Sequence, residues 1–278
     1  MATIGTDPEL FLQDKEGTPI PVCGLVGGSK DTPRGLGLEG YAVQEDNVML
    51  EFNVPASRTA TEFSNSIIEG LRRCSNLVRT SRDGLALHIV PEQWFPYEDL
   101  NTQAASVFGC SVDYRAHLGG QQADVVDPTA LQEGEGAWRF AGGHIHLGYD
   151  ATWEVPDHVV AQFADLFLGL PSMAYDKQPL RRGLYGEAGR YRPTPYGIEY
   201  RTLSNRWLTN TSLTHLVGVN ALALCHYIEQ RPKEEVIADY GNILWADVQA
   251  AINNEDRHAA GELLRVTTEL GITAGVVL

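Results

Sequence analysis

The sequence predicts one large domain, residues 1–278, of the α/β or α+β class. Three observations point there. The chain has 278 residues with 43% hydrophobic and 21% charged content, enough for a sizeable core without disulfide or metal staples. Several stretches alternate apolar and polar residues with the period of two that marks a half-buried strand. Others repeat apolar residues at helical spacing.

In chain order, residues 3–12 read as a strand carrying Asp7 and Glu9. Asp7-Pro8 interrupts it, because proline cannot donate to a ladder, and predicts an edge or a bulge. Residues 23–37 hold five glycines and read as a backbone-exposed loop; its amides, with Lys30 and Arg34, are candidates to cradle an anion. No phosphate-loop register fits there. Residues 40–54 form a second strand, broken near Glu45-Asp46-Asn47 by turn composition, with Met49, Glu51 and Asn53 on one face. A helix over 59–80 follows, its stripe being Phe63, Ile67, Leu71, Cys74 and Val78. Residues 84–90 read as a buried strand in which His88 is structural.

Residues 91–136 are rich in turn formers and predict short elements and a lid, with Asp113, Tyr114, Arg115 and His117 inside it. Residues 137–149 read as one strand on which His144 and His146 share a face, flanked by Gly142-Gly143 and Gly148. A helix over 155–170 and a short one from Pro171 come next. Residues 179–196 place Arg181, Arg182, Arg190 and Arg192 among glycine, tyrosine and proline, a loop suited to phosphate or carboxylate. Residues 197–203 form a last polar strand with Glu199 and Arg201. Helices over 210–229 and 244–268 close the chain.

The net charge of −15, from 36 acids and 21 bases, argues against general nucleic-acid binding. No uncharged run reaches the ~20 residues of a membrane span. The start, Met-Ala-Thr-Ile-Gly-Thr-Asp, lacks a signal-peptide pattern. Cys23, Cys74, Cys110 and Cys225 are widely spaced and read as free thiols. A cytoplasmic protein is expected.

Four strands therefore carry polar pairs: Asp7/Glu9, Glu51/Asn53, His144/His146 and Glu199/Arg201. Brought together, their carboxylates would need cations, since an unpaired buried ion costs several kcal/mol. A mainly oxygen donor set suits Mg²⁺ or Mn²⁺. With the arginines added, the set suits a metal–nucleotide complex. A metal-dependent hydrolase built on His-x-His is the competing reading, and a non-catalytic binding protein on the same fold is a third.

Gly5-Thr6-Asp7-Pro8-Glu9, Asp46-Asn47-Val48-Met49-Leu50-Glu51-Phe52-Asn53, Gly142-Gly143-His144-Ile145-His146-Leu147-Gly148 and Gly197-Ile198-Glu199-Tyr200-Arg201-Thr202-Leu203, in this order, resemble the phage-type COOH–NH2 ligases. These are amidoligases of the glutamine synthetase and glutamate–cysteine ligase superfamily. Leu25–Lys30 and Arg181–Arg192 also resemble that family. The resemblance implies an α+β fold, a curved and mainly antiparallel sheet forming an ATP and metal cup flanked by helices. It implies ATP and Mg²⁺ (or Mn²⁺) as cofactors, with small-molecule or peptide carboxylate and amine substrates, in a host cytoplasm if phage-encoded. Carried over by position, Glu9, Glu51, Glu199, Asp7 and His144 are implied metal ligands. Lys30, His144, His146, Arg182, Arg190 and Arg192 are implied to meet nucleotide phosphates or the substrate carboxylate. Arg201 would face the transferred phosphoryl group, and Glu51 or Glu199 could handle the amine proton. The departure is Asp-Pro-Glu where glutamate–cysteine ligases have Glu-x-Glu.

Overall fold

The computed structural model describes residues 2–102, 105, 112–124, 127–149, 153–273 and 275–276. Cys110 and parts of the predicted lid (103–104, 106–111 and 125–126) lie outside the described residues. The fold is α+β with antiparallel sheets, one of them strongly curled into a half-barrel.

The chain opens with β1 (Thr3–Thr6) and β2 (Glu9–Gln13), separated at Asp7-Pro8, then β3 (Pro19–Ile20) and β4 (Arg34–Gly35). The predicted second strand is a hairpin of β5 (Ala42–Asp46) and β6 (Met49–Asn53). Asn47 turns it at φ 56°, a left-handed conformation that asparagine tolerates, and its own Oδ1 accepts from the Val48 amide.

Helix α1 (Ala60–Ser81) begins at a capping box: the Thr59 side chain accepts from the Glu62 amide and the Glu62 carboxylate accepts from the Thr59 amide. Its buried stripe holds Phe63, Ile67, Cys74 and Val78, and each fully buried large apolar side chain contributes about 1.5–3 kcal/mol. Gly70 lies against the Phe52 ring of β6, where a Cβ would come within 2.6 Å of the ring. This is how α1 seats on the sheet.

β7 (Ala86–His88) pairs with β2, so His88 sits opposite Phe11 in the ladder. The turn-rich stretch contains β8 (Glu92–Pro96), β9 (Tyr114–Arg115), β10 (Gln121–Gln122) and β11 (Gln132–Glu133). The predicted strand 137–149 is in fact two strands, β12 (Gly136–Phe140) and β13 (Ile145–Gly148), in different sheets. Helix α2 (Asp157–Ala164) continues through a π-helical stretch, Asp165–Gly169, into Leu170–Ser172. The predicted arginine loop contains a short helix, α3 (Pro179–Arg182), and a strand, β14 (Arg190–Thr194). β15 (Gly197–Tyr200) follows, ending before Arg201. Helices α4 (Thr211–Glu229), α5 (Lys233–Gly241), α6 (Trp245–Asn253) and α7 (Arg257–Glu269) complete the fold. The predicted helix over 244–268 is thus divided, with Asp256 capping α7 through the Ala259 amide.

The strands join in the orders β1-β13-β15-β14-β9-β10, β11-β12-β8 and β3-β2-β6-β5-β4, with β7 on β2. Among the described residues, no helix is long and apolar enough to cross a membrane.

Candidate active site

Two breaks in the strands create the site. β1 pairs with β13, whereas β2 pairs with β6 in another sheet, so the chain changes sheets at Asp7-Pro8. β12 and β13 change sheets at 141–144 in the same way. The two breaks are bonded to each other: the Glu9 amide donates to the Gly142 carbonyl at 2.9 Å, and the Gly142 amide donates to Glu9 Oε2 at 2.5 Å. Beside this crossing lies a cavity of about 670 Å³, within the size range of small-molecule sites.

One side of the cavity is acidic. Glu9 and Glu51 face each other directly across β2 and β6, and Asp46 ends β5 next to them. Carboxylate oxygens of the three lie within 4.8 Å of one another. Like charges directly opposite in a ladder repel. Burial, then Asp7, Glu9 and Asp46, push the Glu51 carboxyl up to about 9. Burial, then Asp46, push Glu9 up to about 7 despite the pull of Arg201 and Arg181. Burial also raises Asp46, against the opposing charge of Lys30. An all-oxygen group of crowded carboxylates has the donor chemistry of a hard divalent cation, so these residues fit Mg²⁺ or Mn²⁺. Asp46 was not among the expected ligands. Its place beside Asn47 gives it the local composition of a turn, and only the fold shows that, from opposite Met49, its carboxylate reaches Glu9 and Glu51.

The other side is basic, although a carboxylate sits at its centre. Glu199 is fully buried on β15, opposite His146 on β13 and Arg192 on β14. Arg201 and His144 meet its Oε1, His144 through Nδ1 at 3.1 Å, and Arg192 meets its Oε2. Burial alone would raise Glu199, but Arg201, His144 and Arg192 outweigh it and hold the carboxyl well below its usual range. Arg201 is in turn held charged, its burial overcome by Glu199, Asp113, Glu9 and Asp7. Arg190 Nε lies 3.3 Å from Asp113, and its backbone carbonyl accepts from the Arg201 amide at 2.8 Å.

The histidines differ. His144 is buried, and burial, then Arg201, lower it to about 4, so the ring is neutral near pH 7. His146 is raised: burial opposes its charge, but Asp7, 2.9 Å from Nε2, prevails. Asp7, His146 and Glu199 form a second group whose ligand atoms lie within 4.8 Å, yet both Glu199 oxygens already meet cationic arginines. The flanking glycines serve packing. A Cβ on Gly142 would collide with the His144 ring, and one on Gly143 with the Ser204 carbonyl and the Trp207 indole.

Of the expected residues, Asp7, Glu9, Lys30 and Glu51 line the cavity, as do His144, Arg190, Arg192, Glu199 and Arg201. His146 stands behind Asp7 and stacks on Tyr196, with ring centroids 5.9 Å apart. Arg182 is turned away, its Nη1 donating to the Gly186 and Thr202 carbonyls at 2.6 and 3.2 Å. Its neighbour Arg181 lines the cavity instead, fixed by Gln178 Oε1 at 2.6 Å and the Arg201 carbonyl at 2.9 Å, with burial bringing it down to about 10. On a helical turn, adjacent residues point about 100° apart, and composition alone cannot choose between them. From the predicted lid, Asp113 reaches the cavity, while Arg115 bonds Glu187 and His117 bonds buried Asp165. Of the loop amides expected to cradle an anion, those of Gly24, Val26 and Gly27 donate instead to Glu45.

Comparison with curated proteins finds no match. Residues 136–262, just under half of the chain, match the family model described as phage phiEco32-like COOH.NH2 ligase-type 2. That segment carries His144, His146, Arg181, Arg190, Arg192, Glu199 and Arg201, whereas Glu9, Asp46 and Glu51 precede it. The match supports a carboxylate–amine ligase.

Proposed function

We propose that the chain is an ATP-dependent carboxylate–amine ligase that forms an amide through an acyl phosphate. The observation that carries this reading is the joining, in one cavity, of the Glu9–Asp46–Glu51 oxygen cluster with Arg181, Arg190, Arg192 and Arg201. In the reaction, a substrate carboxylate oxygen attacks the γ-phosphorus of ATP and ADP leaves. The amine nitrogen then attacks the acyl carbon, the carbon–oxygen bond to phosphate breaks, and the amine's proton leaves on the released phosphate.

Glu9, Asp46 and Glu51 would hold Mg²⁺ or Mn²⁺, which supplies positive charge to the phosphate oxygens when bound. Arg201, held charged by its carboxylate neighbours, and Arg190, which burial lowers and Asp113 supports, stabilise the transferred phosphoryl group. Glu199 orients Arg201 and Arg192, and its own charge is already balanced, so it does not act as a base. Neutral His144 braces Glu199 from the other side. The curled antiparallel sheet with acidic strand positions accords with a glutamine synthetase-like catalytic domain. The free thiols Cys23, Cys74 and Cys225 accord with a reducing, ATP-rich cytoplasm.

The test is to incubate the protein with ATP, Mg²⁺ and pooled amino acids and polyamines, then follow ADP. Release that needs both substrates and disappears in Glu51→Gln supports the ligase. Metal-dependent hydrolysis without nucleotide would sink it and favour the hydrolase reading, for which the Asp7–His146–Glu199 group speaks.

A further inference from the structure

We propose that Glu45 is a positioning residue that latches the glycine-rich loop and so sets Lys30 over the acidic cluster; this rests on the ligase reading above. Glu45 and Asp46 are neighbours on β5, and both line the cavity. Asp46 joins the carboxylate cluster, whereas Glu45 reaches back into the loop. Its Oε2 accepts from the Gly24 amide at 2.7 Å, and its Oε1 accepts from the Val26 and Gly27 amides at 2.8 and 2.7 Å. Three amides converging on one carboxylate make a charge-assisted clamp.

The backbone is shaped for it. Gly24, Gly27 and Gly28 have φ of 76°, 72° and 84°, which favour glycine. At Gly28 a Cβ would also come within 2.8 Å of the Arg34 amide. Arg34 Nη1 closes the loop from its far end, donating to the Val26 carbonyl at 2.6 Å. Between these two fastenings, Ser29 and Thr32 exchange backbone hydrogen bonds, each 3.1 Å, around the two-residue tip Lys30-Asp31. Lys30 lines the same cavity as Asp46, and its positive charge acts on that carboxylate. An ammonium in that place suits a phosphate bound beside the acidic cluster and the cation it would hold. The carboxylate of Glu45 thus sets where Lys30 stands without meeting the nucleotide itself.

The experiment is a double-mutant cycle of Glu45→Ala and Lys30→Ala in the full chain, read by calorimetric binding of Mg·ATP. Amide hydrogen exchange at Gly24, Val26 and Gly27 is measured alongside. Each single variant should weaken Mg·ATP by about tenfold, the double variant should be no weaker than either, and Glu45→Ala should speed loop exchange. Glu45→Gln, which keeps an acceptor oxygen, should recover part of both losses. A double variant weakened about a hundredfold, the product expected of independent sites, would overturn the latch. So would Glu45→Ala with unchanged Mg·ATP affinity. If the wild-type chain bound no Mg·ATP, the ligase reading would fail on that ground alone. The exchange data would still judge the latch, which unchanged exchange in Glu45→Ala would overturn.

Discussion

Glu51 and Glu199 are the same side chain on neighbouring walls of one cavity, and the structure drives them in opposite directions. Glu51 faces Glu9 across a ladder, with Asp46 and Asp7 nearby, and its carboxyl is pushed up to about 9. Glu199 is more deeply buried, yet Arg201, His144 and Arg192 hold its carboxyl well below the usual range. Burial acts against the charged form in both. The partners decide the sign. A carboxylate that already meets two guanidinium groups is part of the scaffold. Three carboxylates crowded together, with neighbouring cations too few to overcome burial and mutual repulsion, have the donor chemistry to bind one. On the proposed reading, the comparison separates the residues that would hold a metal from those that hold the arginines.

The largest effect that would break this distinction is on turnover. Glu51→Gln should lower substrate-dependent ADP release by about 10³-fold, because a catalytic metal loses a ligand. In the metal-free protein near pH 7 the same change should leave the melting temperature unchanged or raised, since glutamine is neutral without the cost of protonating a carboxyl. A large drop in melting temperature under chelator would show that Glu51 is structural. Arg201→Ala should cost about 10²-fold in turnover and about 3 kcal/mol of stability, because it strips a partner from buried Glu199. Denaturant unfolding of the variant checks this, and a stability equal to wild type would mean that Arg192 and His144 suffice.

The two sides also differ in their response to pH. Glu51 and Glu9 have folded-state pKa values raised to about 9 and about 7 from 4.5, so the folded state binds more protons than the unfolded state in that interval. Their contribution is present below pH ~4.5 and is lost as pH rises toward 9. Glu199 is depressed, so its contribution is present above ~4.5 and is lost as pH falls below that value. Unfolding in chelator from pH 5 to 9 should therefore show a decline that Glu51→Gln flattens and Glu199→Gln does not. An equal slope in all three proteins would contradict the assignment. The smallest effect is expected at Arg182. Arg182→Lys should lower stability through the lost carbonyl contacts at Gly186 and Thr202 while Mg·ATP affinity stays within about twofold of wild type. A tenfold loss of affinity would return Arg182 to the cavity.

Much of this was legible in the residues, and what was hidden has identifiable reasons. The interruption at Asp7-Pro8 shows in the sequence because proline lacks a donor, and there the chain leaves one sheet for another. The matching break at 141–144 does not show. Phe140-Ala141-Gly142-Gly143 before His144-Ile145 keeps an apolar and small pattern through the change of sheet. β14 was hidden by composition: Arg190-Tyr191-Arg192-Pro193-Thr194 has the proline and arginine content of a loop, and pairing with β15 and β9 makes it a strand. Asp46 was hidden by its turn, and the choice of Arg181 over Arg182 by the helical rotation that separates the two. These misses share a cause. Each depends on which strand lies alongside or which way one turn faces, information that local propensity does not contain.

The most direct test of the central claim is Mn²⁺ binding, followed by electron paramagnetic resonance, in the wild type, Glu51→Gln and Glu199→Gln. The account predicts that the wild type binds Mn²⁺, that Glu51→Gln loses about 10- to 100-fold in affinity, and that Glu199→Gln binds as the wild type does. Retained binding in Glu51→Gln together with lost binding in Glu199→Gln would contradict it and move the metal to the Asp7–His146–Glu199 group.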